Sequence, residues 1–222
     1  MTPVLNWPNC TNARDLGGLP LTDGGRIRAG ALVRSDNLDQ LTDAGIAAVR
    51  AAGVSRIVDL RSGWECEKFP SPFTHDDRWL NVPLTDPADP DVSTSELFEQ
   101  YRILIDDYPD RFASAITAIA EAPPGCVVLT CHAGKDRTGL VTALALALTG
   151  VPPAAIATDY AITNLTESRP GFDLPTAETM LRVLAHLDAA YGGPIPYVVQ
   201  AGAATTHLAS LTTRLSQVVR QG

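Results

Sequence analysis

The apolar positions along the chain change rhythm at residues 125–150. The run Gly125, Cys126, Val127, Val128, Leu129, Thr130 follows Pro123-Pro124 and carries no charge, which predicts a short strand buried on both faces. Residues 138–149 then place Leu140, Val141, Ala143, Leu144, Ala145, Leu146, Ala147 and Leu148 around the whole circumference of a helix. That pattern predicts a central buried helix, stopped by Gly150 and Pro152-Pro153. Earlier in the chain, strands are expected over 31–34, 55–60 and 79–84, where apolar and β-branched residues cluster. Thr42, Asp43, then Ile46, Ala47 and Val49 ahead of Gly53 read as a capped helix over 43–52. Asp23-Gly24-Gly25 predicts a hairpin turn between 19–21 and 27–29. Helices are expected over 95–107, 109–121, 153–163, 175–190 and 203–219, and residues 85–91 form an acidic, proline-rich loop.

Strands alternating with helices predict an α/β fold: a central, mostly parallel sheet flanked by helices, with a β-rich N-terminal segment and a helical C-terminal third, as one domain over 1–222. In such sheets ligands bind at the C-terminal ends of the strands. The segment after Thr130 falls at that edge.

Composition narrows the function. With 222 residues and 45% hydrophobic content the chain can bury a full core. A net charge of -8 provides no basic field for nucleic acid or anionic membrane, so an anionic substrate must be held locally. Four cysteines are too few for a disulfide framework and imply a reducing compartment. The start of the sequence has no basic-then-apolar leader pattern, and the apolar stretch 140–148 is shorter than the ~20 residues a membrane span needs. A cytoplasmic location without a transmembrane segment is therefore expected. The four histidines and four cysteines show no metal-ligand spacing, so neither metal nor cofactor is expected.

Cys131-His132-Ala133-Gly134-Lys135-Asp136-Arg137-Thr138-Gly139 lies where the buried strand becomes the buried helix. Backbone N–H groups converging there, with the helix N-terminus, make an anion cradle. Gly134 lets the backbone curl inward, and Arg137 offers a planar fork to two phosphoryl oxygens. The same positive surroundings favour a thiolate on Cys131, an in-line nucleophile for phosphorus. Thr138 stands where its hydroxyl can donate to the sulfur as it leaves. The substrate-holding set is His132, Ala133, Gly134, Lys135 and, from the strand ending near residue 60, Arg61. A surface ion pair with Glu65 is the other reading of Arg61. Lys135, one of only two lysines with Lys68, adds charge at the loop rim or is simply solvated. The seven fixed positions of Cys-x-x-Gly-Lys-Asp-Arg-Thr-Gly arise by chance with a likelihood on the order of 10^-7.

This loop resembles the Cys-x5-Arg signature of the protein tyrosine phosphatase superfamily, and its Gly-Lys-Asp-Arg-Thr-Gly ending is similar to the bacterial tyrosine and phosphoinositide phosphatases. Asn12-Ala13-Arg14-Asp15-Leu16-Gly17-Gly18 and Val58-Asp59-Leu60-Arg61-Ser62 with Glu65 resemble further elements of that group, so the likeness spans roughly residues 10–165. It implies a cysteine-phosphatase-like fold and metal-independent hydrolysis of phosphate monoesters through a cysteinyl-phosphate. The implied substrates are phosphotyrosine, phosphoserine or phosphothreonine in proteins, or phosphoinositides. It also implies a general acid: Asp136 in the loop, favoured because close relatives use that position, or Asp86 in the acidic loop. The family histidine before the nucleophile is replaced by Thr130. Arg14 and Asp15 are expected to pin the N-terminal segment. A weakly catalytic phospho-ligand binding module and an arsenate- or sulfur-handling Cys-loop enzyme are the alternatives; no cysteine follows Cys131 to act as a resolving thiol in the latter.

Overall fold

The run after Pro124 forms strand β6, Cys126–Thr130, with all five residues buried. It pairs in parallel with β3, Leu32–Ser35, on one side and with β4, Val54–Asp59, on the other. Antiparallel β1, Arg14–Asp15, and parallel β5, Trp79–Asn81, complete a sheet of order β1-β3-β6-β4-β5. The structure is a computed structural model that describes residues 3–91, 96–165 and 174–217.

Successive side chains on a strand face opposite ways, and two cores result. Val127 and Leu129 of β6 join Leu32 and Val58 in the larger one. Cys126 and Val128 join Val33, Ile57, Trp7 and Phe73 in the smaller one. The small core is closed by α1, Asp43–Ala51, whose N-cap Thr42 accepts from the Gly45 N–H as the sequence pattern requires. The large core receives α3, Leu97–Asp107, α4, Pro109–Ala120, α5, Asp136–Thr149, α6, Pro153–Ile162, α7, Ala177–Tyr191, and α9, Thr205–Leu215. In α5 every residue from Thr138 to Leu146 is buried, which matches its apolar circumference. Gly150, at φ +93°, closes the helix by donating to the Ala147 and Leu146 carbonyls, a conformation that favours glycine. The result is the expected α/β architecture, a mostly parallel sheet flanked by helices.

Several local expectations are corrected. The turn after Leu21 closes as expected, with the Leu21 N–H on the Gly25 carbonyl at 2.9 Å, and the hairpin arms pair through the Pro20–Arg26 bridge and the Ile27 N–H on the Leu19 carbonyl at 2.8 Å. Not expected was that β2, Arg26–Ile27, also pairs with β7, Ser216–Gln217, from far along the sequence. The last helix therefore ends at Leu215, and its expected extension to 218–219 lies outside the described residues, as does position 95 of the helix expected over 95–107. The strand expected over 79–84 stops at Asn81. Two short helices gave no periodic signal: α2, Gly63–Lys68, and α8, Pro194–Gln200. Among the described residues no helix is long and apolar enough to cross a membrane.

Candidate active site

At the C-terminal edge of the sheet Thr130 is in register with Ser35 and Asp59, and the chain turns there through Cys131 into α5. The loop is tied to the end of β3. Thr130 donates its hydroxyl to the Asp36 carbonyl at 2.7 Å, and the Asn37 N–H donates to the His132 carbonyl at 3.0 Å. The Asn12 amide donates to the Ala133 and Gly134 carbonyls at 3.1 and 3.2 Å, and Arg34 donates to the Gly134 carbonyl at 2.8 Å. In a trans peptide the next N–H points opposite its carbonyl. Carbonyls 132, 133 and 134 bound to the scaffold thus turn the N–H groups of Ala133, Gly134 and Lys135 away from it, as an anion cradle requires. Gly134 sits at φ +67°, and a Cβ there would lie 2.6 Å from the Asp36 nitrogen, so only glycine allows the loop to press this close.

A buried charge cluster backs the cradle. Asp159 takes Arg14 at 2.9 Å and Arg34 at 3.0 Å, with all three side chains nearly inaccessible. Burial opposes the Asp159 charge, but Arg34 and Arg14 hold its carboxyl below the usual range. Burial, and then the neighbouring Arg34 charge, lower Arg14 to about 10 against the pull of Asp159. Arg14 also donates to the Asn12 side chain, so the N-terminal element anchors the loop through Asn12. Asp15 accepts from the Gly17 and Gly30 N–H groups at 2.9 and 2.8 Å, a pinning role like that expected.

Arg137, in the first turn of α5, meets Glu65 of α2 fork to fork at 2.5 and 2.8 Å and the Thr85 hydroxyl at 3.3 Å. Glu65 also accepts from the Ser62 N–H at 2.9 Å in a capping box. Burial works against its charge, yet Arg137 and then Ser62 bring its carboxyl down to about 2. For Arg137 too, burial opposes the charge, while Glu65 and then Cys131 raise its pKa above the usual range. Of the five guanidinium donors, Glu65 and Thr85 engage three, and two are unengaged among the described residues. Sequence reasoning missed this pairing; the Ser62-x-x-Glu65 capping pattern was the available signal.

Asp136 accepts a hydrogen bond from the Tyr101 hydroxyl, which lies 2.5 Å from the Tyr160 hydroxyl. Burial and then the Asp136 charge raise the Tyr101 phenol well above its ordinary pKa and keep it a donor. Asp136 opens onto a cleft of 370 Å³ shared with Arg137, Glu65, Thr85, Asp86 and Asp89. Asp86 is exposed across that cleft, and its carboxylate accepts from the Ala88 N–H at 2.8 Å, capping its own turn. Cys131 is 2% exposed at the turn, and Thr138 is fully buried with a hydroxyl that has no hydrogen-bond partner among the described residues. His132 is exposed, its ring 6.2 Å from that of Phe69.

Two placements differ from expectation. Lys135 is not a solvated rim lysine: it is buried, with its ammonium 4.0 Å from Asp136. Arg61 does not reach into the crevice, nor does it pair with Glu65. It is buried with its guanidinium held by Asp59 at 2.7 Å and by the Phe69 carbonyl at 2.8 Å, so it braces the chain between β4 and α2. The remaining cysteines are kept as thiols: burial, and then Asp36 for Cys10 and Asp59 for Cys66, push Cys10 and Cys126 up to about 12 and Cys66 to about 11. A larger cavity, 710 Å³, lies at the opposite ends of the strands beside Gly53 and Gly125, away from this loop.

A family model described as "Tyrosine phosphatase family" matches residues 5–217. The chain belongs to the tyrosine phosphatase family. It is 32% identical over 224 residues to a tyrosine-protein phosphatase of Nostoc commune, covering 86% of this chain and 76% of that protein. It is 29% identical over 197 residues to a triple specificity protein phosphatase of Mycobacterium tuberculosis, covering 72% of this chain and 69% of that one. This tyrosine phosphatase family member is thus an enzyme of tyrosine-phosphatase type with a cysteine-phosphatase-like fold, acting on a phosphorylated substrate.

Proposed function

We propose that the chain, acting as one domain, hydrolyses phosphate monoesters, phosphotyrosine foremost, through a cysteinyl-phosphate on Cys131. The observation that carries this reading is a loop whose carbonyls are bonded outward, beside an Arg137 guanidinium that Glu65 holds in place with two donors still unengaged. Substrate phosphate enters with its oxygens on the loop N–H groups and on the two remaining Arg137 donors. Cys131 Sγ, as thiolate, forms the S–P bond while the bond from phosphorus to the leaving oxygen breaks. The leaving oxygen takes its electron pair and a proton from Asp136. Tyr101 occupies one Asp136 oxygen and leaves the other to carry that proton. In the second step water attacks phosphorus, Asp136 takes back a proton, and the S–P bond breaks with its electrons returning to Cys131. Thr138, buried beside Arg137 with an unmatched hydroxyl, is the donor that steadies the departing thiolate.

Thr130, bonded to the Asp36 carbonyl, supplies the support that the family histidine gives, which speaks against a mere binding module. The cleft beside Arg137 carries Asp86, Asp89, Asp91 and Asp136, and Lys135 is buried rather than offered at its rim. Those charges disfavour a polyanionic phosphoinositide headgroup and favour a phosphopeptide. Four free cysteines support a reducing, cytoplasmic setting. The test is steady-state hydrolysis, with no added metal, of a phosphotyrosine peptide, a phosphoserine peptide and phosphoinositide vesicles. Wild-type turnover led by phosphotyrosine, lost in Cys131→Ser and reduced about 10²-fold in Asp136→Asn but little in Asp86→Asn, is the expected result. Binding without turnover would select the binding module, and a larger loss in Asp86→Asn would move the acid to the other side of the cleft.

A further inference from the structure

The hollow at the far end of the sheet is larger than the cleft at Arg137, 710 Å³ against 370 Å³. That size falls in the range of about 300–1,000 Å³ typical of small-molecule sites. Its apolar lining is made of small side chains: Ala31 before β3, Ala52 after α1, Ala120 at the end of α4 and Cys126 at the start of β6. Helix α9 forms the facing wall and contributes Arg214, while Arg28 reaches the hollow from the segment after β2.

Both arginines stand there without a counter-ion. Arg28 donates to the Thr213 and Ser216 carbonyls at 3.0 and 3.1 Å. Arg214 donates to the carbonyls of Ala122, Pro123 and Gly125, the last two at 3.1 and 3.2 Å. All these acceptors are neutral, and neither guanidinium is paired with a carboxylate among the described residues. The Arg214 Nε is buried and has no hydrogen-bond partner among those residues. Burial, and then the like charge of Arg28, lower the Arg214 pKa below its ordinary value. Neighbouring carboxylates are engaged elsewhere: Asp15 accepts from the Gly17 and Gly30 N–H groups, and Glu121, next to Ala120, meets His207 at 3.1 Å. In a chain of net charge -8, two uncompensated cations thus share one apolar hollow.

An anion seated at the two guanidinium groups would supply the missing charge, and their planar forks match carboxylate, sulfonate or phosphate oxygens. The alanine-rich lining has little to offer a purely polar ligand and favours hydrocarbon. We propose that this hollow is a second binding site, for an amphipathic organic anion whose charged head lies at Arg28 and Arg214 and whose apolar body lies on Ala31, Ala52, Ala120 and Cys126. The site is separate from the catalytic loop. Strand β6 runs between the two, with Cys126 lining the one and Cys131 just past its other end.

The test is a fluorescence titration of the full chain with anilinonaphthalene sulfonate, one sulfonate on an aromatic body. Wild type, Arg28→Gln, Arg214→Gln and Ser210→Trp are compared. Ser210 is an exposed residue of the α9 wall, so an indole there fills the hollow without entering the core. Wild type should show one saturable site, weakened about tenfold in Arg28→Gln and in Arg214→Gln and lost in Ser210→Trp. Thermal unfolding of Arg28→Gln and Ser210→Trp should stay near that of wild type, which separates lost binding from lost folding even where Arg214→Gln unfolds. Octanoate and octyl phosphate should displace the probe, the stronger of the two naming the head group, while octanol should need at least about tenfold more. No saturable site in wild type, unchanged binding in Arg28→Gln and Ser210→Trp, or displacement by octanol as readily as by the anions would each overturn the proposal.

Discussion

Arg137 and Glu65 form the pair on which the site's geometry turns, and Glu65 carries the clearest pH signature near it. Its carboxyl falls from an ordinary value near 4.5 to about 2 because, against the cost of burial, Arg137 and Ser62 favour the charged form. A folded-state pKa below the unfolded one contributes stability that is complete above the unfolded value and is lost as pH falls through the folded one. The Glu65 contribution is therefore whole above about pH 4.5 and disappears toward pH 2. Glu65→Gln leaves Arg137 partly buried without its counter-charge and is expected to lower stability by on the order of 2–3 kcal/mol near neutral pH. Urea unfolding at a series of pH values checks this: the gap between wild type and variant should close as pH is lowered from about 4.5 to 2. A gap that persists at pH 2 would show that the pair is not what Glu65 contributes.

At the scale of elements, the strand, loop and helix of residues 125–149 were legible because each carries a local signal. The apolar run gives β6, the apolar circumference gives α5, and the joint between them must hold the curled loop. The loop's footing was not legible, since Asn12 and Arg34 reach its carbonyls from a hundred or more residues earlier in the sequence, and Asp159 acts on it only by holding Arg34 and Arg14. No periodicity encodes that meeting. The same holds for β2 with β7: the turn at Gly24-Gly25 is local chemistry, but the partner strand arrives from residue 216. The short α2 escaped notice for a different reason, having six residues, too few for a helical period to register, so Glu65 was read beside Arg61 rather than beside Arg137. The dependence of loop on strand gives a sharp expectation for Gly134→Ala. The left-handed φ costs on the order of 1–3 kcal/mol, and the new methyl would overlap the Asp36 backbone. Activity should fall by more than about 10²-fold, with thermal unfolding showing a stability loss of on the order of 3 kcal/mol. Near-wild-type turnover in that variant would mean that the cradle does not depend on this close approach.

Across the whole molecule, a net charge of -8 and a carboxylate-lined cleft meet a substrate that is itself anionic. Attraction is confined to the loop, and the wider field repels. Raising ionic strength from about 0.01 to 0.15 M shortens the Debye length from about 30 to 8 Å and screens that field. For a phosphotyrosine peptide rich in Asp and Glu, kcat/KM should therefore rise with salt, and for one rich in Lys and Arg it should fall. Parallel salt titrations of two such peptides measure it, and movement in the same direction for both would remove the field from the account.

A cysteinyl-phosphate on Cys131 is a covalent species and can be trapped. Wild-type enzyme mixed with a phosphotyrosine peptide in the absence of metal, quenched in acid within the first turnovers and digested, should yield the Cys131 peptide carrying one phosphoryl group on sulfur by mass spectrometry. Turnover without that adduct, or turnover that survives in Cys131→Ser, would contradict the mechanism.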